Sequence, residues 1–186
     1  MADKPSYLGL LNNIALGEGR AYRYLRAWAE KTDDPDVRQV LETVAIREGE
    51  HSLAFEKRLC ELGFALLEKP DPTFEKTLDL VTSQKSDLEK FEGLGIGRDR
   101  GDGEDPFSGL FKDETIDIQT GELLGRYIAE ERDSGRLLRG CYQVLKQREE
   151  APAPGLADQL RQISSCLDSV TTGLEQLRRE VATLRD

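Results

Sequence analysis

This chain of 186 residues contains one histidine, one methionine and one tryptophan, and only three cysteines. The three cysteines, Cys60, Cys141 and Cys166, stand far apart and form no C-x-x-C pair. The sequence therefore predicts neither a disulfide framework nor a zinc-binding cysteine site, and it favours a reducing cytoplasm. Aromatic residues make up only 6 % of the chain, whereas charged residues make up 33 %. This balance is typical of long helices with solvated outer faces and disfavours a sheet.

No segment of the sequence has the composition of a membrane-binding or nucleic-acid-binding element. The longest apolar runs are far shorter than the roughly 18 residues that a membrane span requires. The polar residues 1–6 lead directly into an amphipathic segment, which predicts no signal peptide. The net charge of −10 and the absence of a lysine or arginine cluster disfavour nucleic acid as a partner. We therefore expect a cytoplasmic protein that binds neither membrane nor nucleic acid.

Apolar residues recur at helical spacing in four long segments. The pattern predicts long helices over about 5–31, 35–62, 117–148 and 156–184. Residues 65–116 contain Pro70, Pro72 and a glycine-rich stretch over 93–109. This composition predicts a long crossover connection with one short helix over about 73–92. The whole chain, 1–186, is predicted to be one all-α domain.

The inward face of the second predicted helix contains two polar residues, Glu48 and His51, in its middle. Steps of three and four residues connect the positions Val37, Leu41, Val44, Glu48, His51, Phe55 and Leu59. Burial of a charge is costly unless the charge is paired or bound to a metal ion. A lone histidine on such a face is more often a hydrogen-bonded core residue than a metal ligand. Glu48 and His51 alone therefore do not predict a metal site.

Glu18 occupies the same kind of position in the first predicted helix. It completes the apolar series Leu11, Ile14, Ala21, Leu25 and Trp28. The turn between the two helices is centred near Asp33, and Glu18 and Glu48 are each 15 residues from it. With a rise of about 1.5 Å per residue, the two glutamates reach the same height on antiparallel helices. The sequence therefore predicts that Glu18, Glu48 and His51 converge.

The third predicted helix contributes Glu131, about 14 residues from its start. Glu131 and Ser134 lie in the middle of the face formed by Leu124, Tyr127, Leu138, Cys141 and Leu145. Carboxylates at close range repel each other and raise each other's pKa, and a divalent or trivalent cation removes this cost. The predicted metal ligands are Glu18, Glu48, His51 and Glu131.

The last predicted helix has a strict heptad repeat with an apolar residue at every seam position. The seam consists of Leu160, Ile163, Leu167, Val170, Leu174, Leu177, Val181 and Leu184. A repeat of this length either closes the bundle or forms a coiled coil between subunits. We expect it to close the bundle, because three helices would leave the carboxylates exposed.

This pattern resembles the ferritin-like superfamily, and within it the rubrerythrin-type and bacterioferritin-type proteins. The resemblance implies an antiparallel four-helix bundle of two helical hairpins joined by a long crossover. In that family each helix pair offers a Glu and a Glu-x-x-His, and together they hold two iron or manganese ions. Glu18 matches the first-helix glutamate, Glu48 and His51 match the Glu-x-x-His, and Glu131 matches the third-helix glutamate. The implied function is oxidation of ferrous iron or reaction with peroxide or oxygen, in a homodimer or larger homo-oligomer.

The last helix contains no second Glu-x-x-His, and the chain has no second histidine. Three arrangements therefore remain open. The four ligands hold a single iron or manganese ion, or two half-sites form a shared dinuclear site across a dimer, or the site has degenerated and holds no metal. In the last case the chain is a ferritin-like bundle without metal chemistry that acts as an oligomerisation or adaptor module.

Overall fold

The structure is a computed structural model that describes residues 4–97, 107, 109–150 and 156–183. Over these ranges it contains six helices and no strand, which confirms the all-α prediction. The helices are α1 Leu8–Ala29, α2 Pro35–Glu61, α3 Phe74–Thr82, α4 Asp87–Leu94, α5 Ile118–Glu150 and α6 Leu156–Thr183. Within the described part of the chain, no helix combines the length and the apolar character that a membrane span requires.

The chain divides into two compact units, Met1–Arg148 and Glu149–Asp186. The first unit contains α1 to α4 and nearly all of α5, and the second contains α6. The completion of a four-helix bundle by the last helix and the grouping of residues 1–186 in one domain both stay predictions.

The first two helices, α1 and α2, form a hairpin. The turn between them ends at Asp34, the residue that caps the start of α2. The Asp34 side chain accepts hydrogen bonds from the backbone N–H groups of Asp36 and Val37, and Pro35 occupies the first helical turn. These are favourable N-terminal residues, because the cap satisfies free N–H groups and proline has none to satisfy. The buried face of α2 consists of Val37, Leu41, Val44, Glu48, His51, Phe55 and Leu59, each at most 4 % exposed. The predicted inward face of this helix is therefore confirmed.

Two apolar clusters fill the interior of the first unit. The cluster nearer the start of α1 includes Leu11, Ile14, Phe55, Leu59, Leu124 and Ile128. The cluster nearer the α1–α2 turn includes Leu25, Trp28, Val37, Leu41, Val81 and Phe91. Glu18, Glu48 and His51 fall between these two sets along α1 and α2. Burial of charged side chains in an otherwise apolar interior costs free energy unless they are paired, hydrogen-bonded or bound to a metal ion.

The connection between the hairpin and α5 contains two short helices, α3 and α4, where the sequence predicted one over about 73–92. The break follows from local hydrogen bonding, because Ser83 is extended and Ser86 begins a new helix. The Ser86 hydroxyl accepts from the Glu89 N–H, and the Glu89 carboxylate accepts from the Ser86 N–H. This reciprocal capping box makes a fresh helix start more favourable than continuation.

A polar network at one end of the hairpin fixes the start of α5. Arg58, which is 8 % exposed, donates to Asp117 at 2.8 Å, to Thr120 at 2.9 Å and to Gln119 at 2.8 Å. Asp117 also accepts from the Tyr7 hydroxyl at 2.6 Å and from the backbone N–H of Thr120 at 3.0 Å. Burial opposes ionisation, but these hydrogen bonds hold the pKa of Asp117 well below its usual range. The network sets the position of α5 along α1 and α2, and with it the height of Glu131.

Candidate metal centre

Four acidic and imidazole side chains from three helices converge between the two apolar clusters. They are Glu18 of α1, Glu48 and His51 of α2, and Glu131 of α5. One possible ligand atom from each lies within 4.8 Å of those of the other three. These are the four residues that the sequence predicted, and the structure brings all of them together.

Close approach of α1 and α2 beside the site depends on two glycines, each directly following a glutamate of the cluster. A Cβ at Gly19 would lie 3.0 Å from the Ser52 hydroxyl oxygen. A Cβ at Gly49 would lie 3.2 Å from the ring of Tyr22. Glycine costs about 1 kcal/mol against alanine inside a helix, so its presence at both positions is consistent with a need for space. The two glycines let the helices pack closely at the height of the site.

Three buried side-chain atoms in the described part of the chain have no hydrogen-bond partner, and all three belong to this cluster. They are Glu48 Oε2, His51 Nδ1 and Glu131 Oε1. The His51 Nδ1 atom lies 3.7 Å from Glu48 Oε2 and 3.3 Å from Glu131 Oε1. More than about 90 % of buried polar groups are hydrogen-bonded, and each exception costs about 1–3 kcal/mol. A cation coordinated by all three atoms would satisfy them together, so the residues present fit a metal ion.

The second nitrogen of His51 is held by Glu130, a residue that the sequence did not single out. His51 Nε2 lies 2.7 Å from Glu130 Oε2, and Arg126 Nε donates to the other oxygen of that carboxylate at 2.9 Å. Burial opposes ionisation of Glu130, but the contacts with His51 and Arg126 lower its pKa below the usual value. An ionised carboxylate only accepts hydrogen bonds, so Nε2 carries a hydrogen. The lone pair of a neutral His51 is then on Nδ1, which faces the carboxylates of Glu48 and Glu131.

Replacement of Glu130 by alanine is expected to weaken metal binding by about 10- to 100-fold, because the imidazole loses the partner that fixes its tautomer and orientation. The dissociation constant for Mn²⁺, measured by isothermal titration, checks this. Glu122→Ala, an exposed position on the same helix, removes the same charge and should leave the constant unchanged. Equal affinities of the two variants would show that Glu130 does not position the ligand.

The protonation of the metal-free cluster reflects its burial and the crowding of its charges. Burial, together with the nearby Glu48 and Glu131 carboxylates, raises the pKa of Glu18 to about 9. Burial opposes a charged imidazole, but the close carboxylates of Glu131, Glu48 and Glu130 outweigh it and raise the pKa of His51 to about 10. Burial also opposes ionisation of Glu48, yet its contacts with His51 and the neighbouring carboxyl groups lower its pKa. At neutral pH the metal-free site therefore retains protons on Glu18 and His51.

Two tyrosines surround the cluster. The Tyr127 hydroxyl donates to Glu18 Oε1 at 2.8 Å, and its ring packs edge-on against His51 with centroids 5.1 Å apart. Burial and the charges of the nearby carboxylates raise the pKa values of both Tyr127 and Tyr24. Both phenols therefore stay protonated beside the site, and Tyr127 is a hydrogen-bond donor to Glu18.

Ser134, three residues after Glu131, is buried but serves the packing of α5 on α2. Its hydroxyl accepts from Arg47 at 3.1 Å, and the same Arg47 nitrogen lies 3.0 Å from Asp133. The serine therefore has a hydrogen-bond partner of its own outside the cluster. The Glu-x-x-Ser pattern of α5 thus supplies one candidate ligand, Glu131.

A cleft of about 320 Å³ opens between α2 and α5 beside the cluster, and His51 is the one cluster residue that lines it. Its lining residues are Glu50, His51, Leu53, Ala54, Leu123, Arg126 and Tyr127. The cleft is mainly apolar and reaches His51 and Tyr127.

Comparisons of the chain with protein-family models, with curated proteins and with solved structures found no match. The resemblance to the ferritin-like superfamily therefore rests on the residues themselves and stays a prediction.

Proposed function

We propose that the protein binds one iron or manganese ion through Glu18, Glu48, His51 and Glu131. We further propose that it acts as a ferritin-like non-haem metal protein, which oxidises ferrous iron or reacts with peroxide or oxygen. The observation that carries the proposal is the group of three buried ligand atoms without a hydrogen-bond partner. A polar cluster built only for stability would pair these atoms, because each unpaired atom is destabilising.

The donor set supports iron or manganese among the common metals. Three carboxylates and one imidazole suit a divalent ion that accepts both oxygen and nitrogen, whereas zinc and copper sites favour more nitrogen or sulfur. Ligands at about 2.1 Å from one ion lie within about 4.2 Å of each other. The four candidate atoms lie within 4.8 Å of one another, so small side-chain rotations would bring them onto a single ion.

The residues around the site have separable tasks in such chemistry. Iron or manganese, when bound, supplies one-electron redox chemistry toward oxygen or peroxide. The three carboxylates provide negative charge, and Glu130 keeps a proton on His51 Nε2 so that Nδ1 is free to coordinate. The Tyr127 hydroxyl donates a hydrogen bond to Glu18 Oε1 at 2.8 Å and so orients that carboxyl group. The two apolar clusters keep bulk water from the interior, and the cleft opens beside His51.

Titration of the chelator-treated protein with Fe²⁺ under anaerobic conditions, and separately with Mn²⁺, tests the proposal. We expect uptake of about one ion per chain and a higher midpoint of thermal unfolding, since a ligand at 100 times its dissociation constant stabilises by about 2.7 kcal/mol. The iron-loaded protein should then consume oxygen or peroxide. Absence of uptake, with an unchanged midpoint, would overturn the proposal.

One observation favours the alternative function, a bundle without metal chemistry that serves as an oligomerisation module. The apolar seam of α6 is exposed, with Leu167 61 % and Leu174 57 % accessible. The same titration separates the two functions, because a bundle without metal chemistry takes up no metal.

A further inference from the structure

The second unit of the chain presents a long apolar stripe to its surroundings. Six residues of α6 follow one another in steps of three and four, and each is between 55 % and 61 % exposed. They are Leu160, Ile163, Leu167, Val170, Leu174 and Leu177. At about 1.5 Å per residue the stripe is about 26 Å long. Monomeric proteins rarely expose a continuous apolar surface of this extent, so the stripe predicts a partner.

The spacing of the stripe indicates what kind of partner fits it. A strict seven-residue repeat matches the 3.5-residue period of a left-handed coiled coil, which differs from the 3.6-residue period of a straight helix. A surface built on this period is complementary to a helix with the same repeat. Among the described helices, α6 is the one with an uninterrupted apolar repeat, since the corresponding faces of α2 and α5 contain Glu48, His51 and Glu131. The matching helix is therefore α6 of another copy of the chain.

We propose that α6 forms a four-stranded coiled coil with the α6 helices of three further copies. In a heptad repeat the seven positions are labelled a to g, and the apolar seam occupies a and d. The described a positions of α6 are all leucine (Leu160, Leu167 and Leu174). Two of the three described d positions, Ile163 and Val170, are β-branched. Leucine at a with β-branched residues at d shifts the preference from two strands toward trimers and tetramers.

The residues beside the stripe favour four strands over two. The flanking e and g positions in the middle of α6 are Ser164, Cys166, Thr171 and Gly173, all of them exposed. In two-stranded coiled coils these positions usually hold charged residues that pair across the interface. Each helix of a four-stranded assembly contacts its neighbours over a wider face that includes an e or g position, and uncharged residues suit that face better than charged ones. This assembly goes beyond the proposed metal chemistry and does not depend on it.

Sedimentation equilibrium of the full-length, metal-free protein tests the assembly. We expect a mass four times that of the 20.9 kDa chain. Leu167→Asp combined with Leu174→Asp should lower it to one chain, because two charges enter the seam. Ser165→Asp combined with Thr172→Asp places the same charges on the opposite face of the same helix and should leave four chains. An unchanged thermal midpoint of the unit that contains α1 to α5 shows that the seam variant is folded.

A second variant tests the number of strands. Leu160, Leu167 and Leu174 are changed to isoleucine, and Ile163 and Val170 to leucine, which places β-branched residues at a and leucine at d. This exchange keeps the stripe apolar but favours two strands, so the mass should fall by half. A wild-type mass of one, two or three chains, or a mass unaffected by the aspartates or by the exchange, would overturn the proposal.

Discussion

Replacement of Glu48 by glutamine is expected to lower the affinity for Fe²⁺ or Mn²⁺ by about 100-fold or more, equivalent to about 2.8 kcal/mol. Glu48 is 4 % exposed, and its pKa responds to contacts with all three other members of the cluster. Its Oε2 atom is one of the three without a hydrogen-bond partner. An amide has almost the shape of a carboxylate but lacks its charge, so the substitution removes the ligand without opening a cavity.

Glu42→Gln provides a matched control for this result. Glu42 is on the same helix and is exposed, and its substitution changes the net charge by the same amount. Isothermal titration of both variants and of the wild type measures the dissociation constants, and circular dichroism verifies that the helices remain folded. If Glu48→Gln binds Mn²⁺ as tightly as Glu42→Gln does, Glu48 is not a ligand and the proposed site is wrong.

The metal-free protein is expected to become less stable as the pH rises from about 6 to about 9. The pKa of Glu18 is about 9 in the folded chain against 4.5 normally, and that of His51 is about 10 against 6.5. Over this interval the folded state holds protons that the unfolded state has released, so the free energy of unfolding falls with rising pH. One pKa unit corresponds to about 1.4 kcal/mol, so Glu18 alone contributes up to about 4 kcal/mol over these three pH units, and we expect a loss of roughly 2–4 kcal/mol.

Bound metal should reverse this dependence, because ligation requires a neutral His51 and an ionised Glu18. Metal binding then releases protons, and the affinity should increase by about tenfold or more per pH unit between pH 7 and 9. Urea unfolding at several pH values, with and without Mn²⁺, measures both effects.

Glu18→Gln supplies the control for the pH dependence. It resembles the protonated side chain permanently, so the decline in metal-free stability should become shallower by up to about 1.4 kcal/mol per pH unit. A metal-free stability that does not change between pH 6 and 9 would contradict the proton retention assigned to the cluster.

Much of the candidate site could be predicted from the sequence because its ligands lie on regular helices. The seam of α2 repeats in steps of three and four, and a helix places residues at that spacing on one face whatever surrounds it. The equal distances of Glu18 and Glu48 from the turn follow from the constant rise per residue. These local rules were sufficient to bring Glu18, Glu48 and His51 together, and the depth of Glu131 in its helix added the fourth residue.

The role of Glu130 could not be predicted in the same way. Glu130 and Glu131 are adjacent in the sequence, and which of them faces the interior depends on the rotation of α5 about its own axis. The structure turns Glu131 toward the cluster and leaves Glu130 beside His51 Nε2, a contact that spans 79 positions of the chain. An imidazole that binds a metal usually donates its other N–H group to an acceptor, so a partner for His51 could be expected. The sequence did not identify that partner, because many acidic residues could have filled the role.

The sequence by itself determined the helical class, the inward faces of α1, α2 and α5 and the four residues that converge, because helical periodicity is a local property. Only the tertiary structure decided which nitrogen of His51 faces the carboxylates and which hydroxyl reaches Glu18. It also decided that the buried atoms of the cluster lack partners. These features depend on the rotation and separation of helices far apart in the chain, and packing sets those quantities through many weak contacts that no single segment contains.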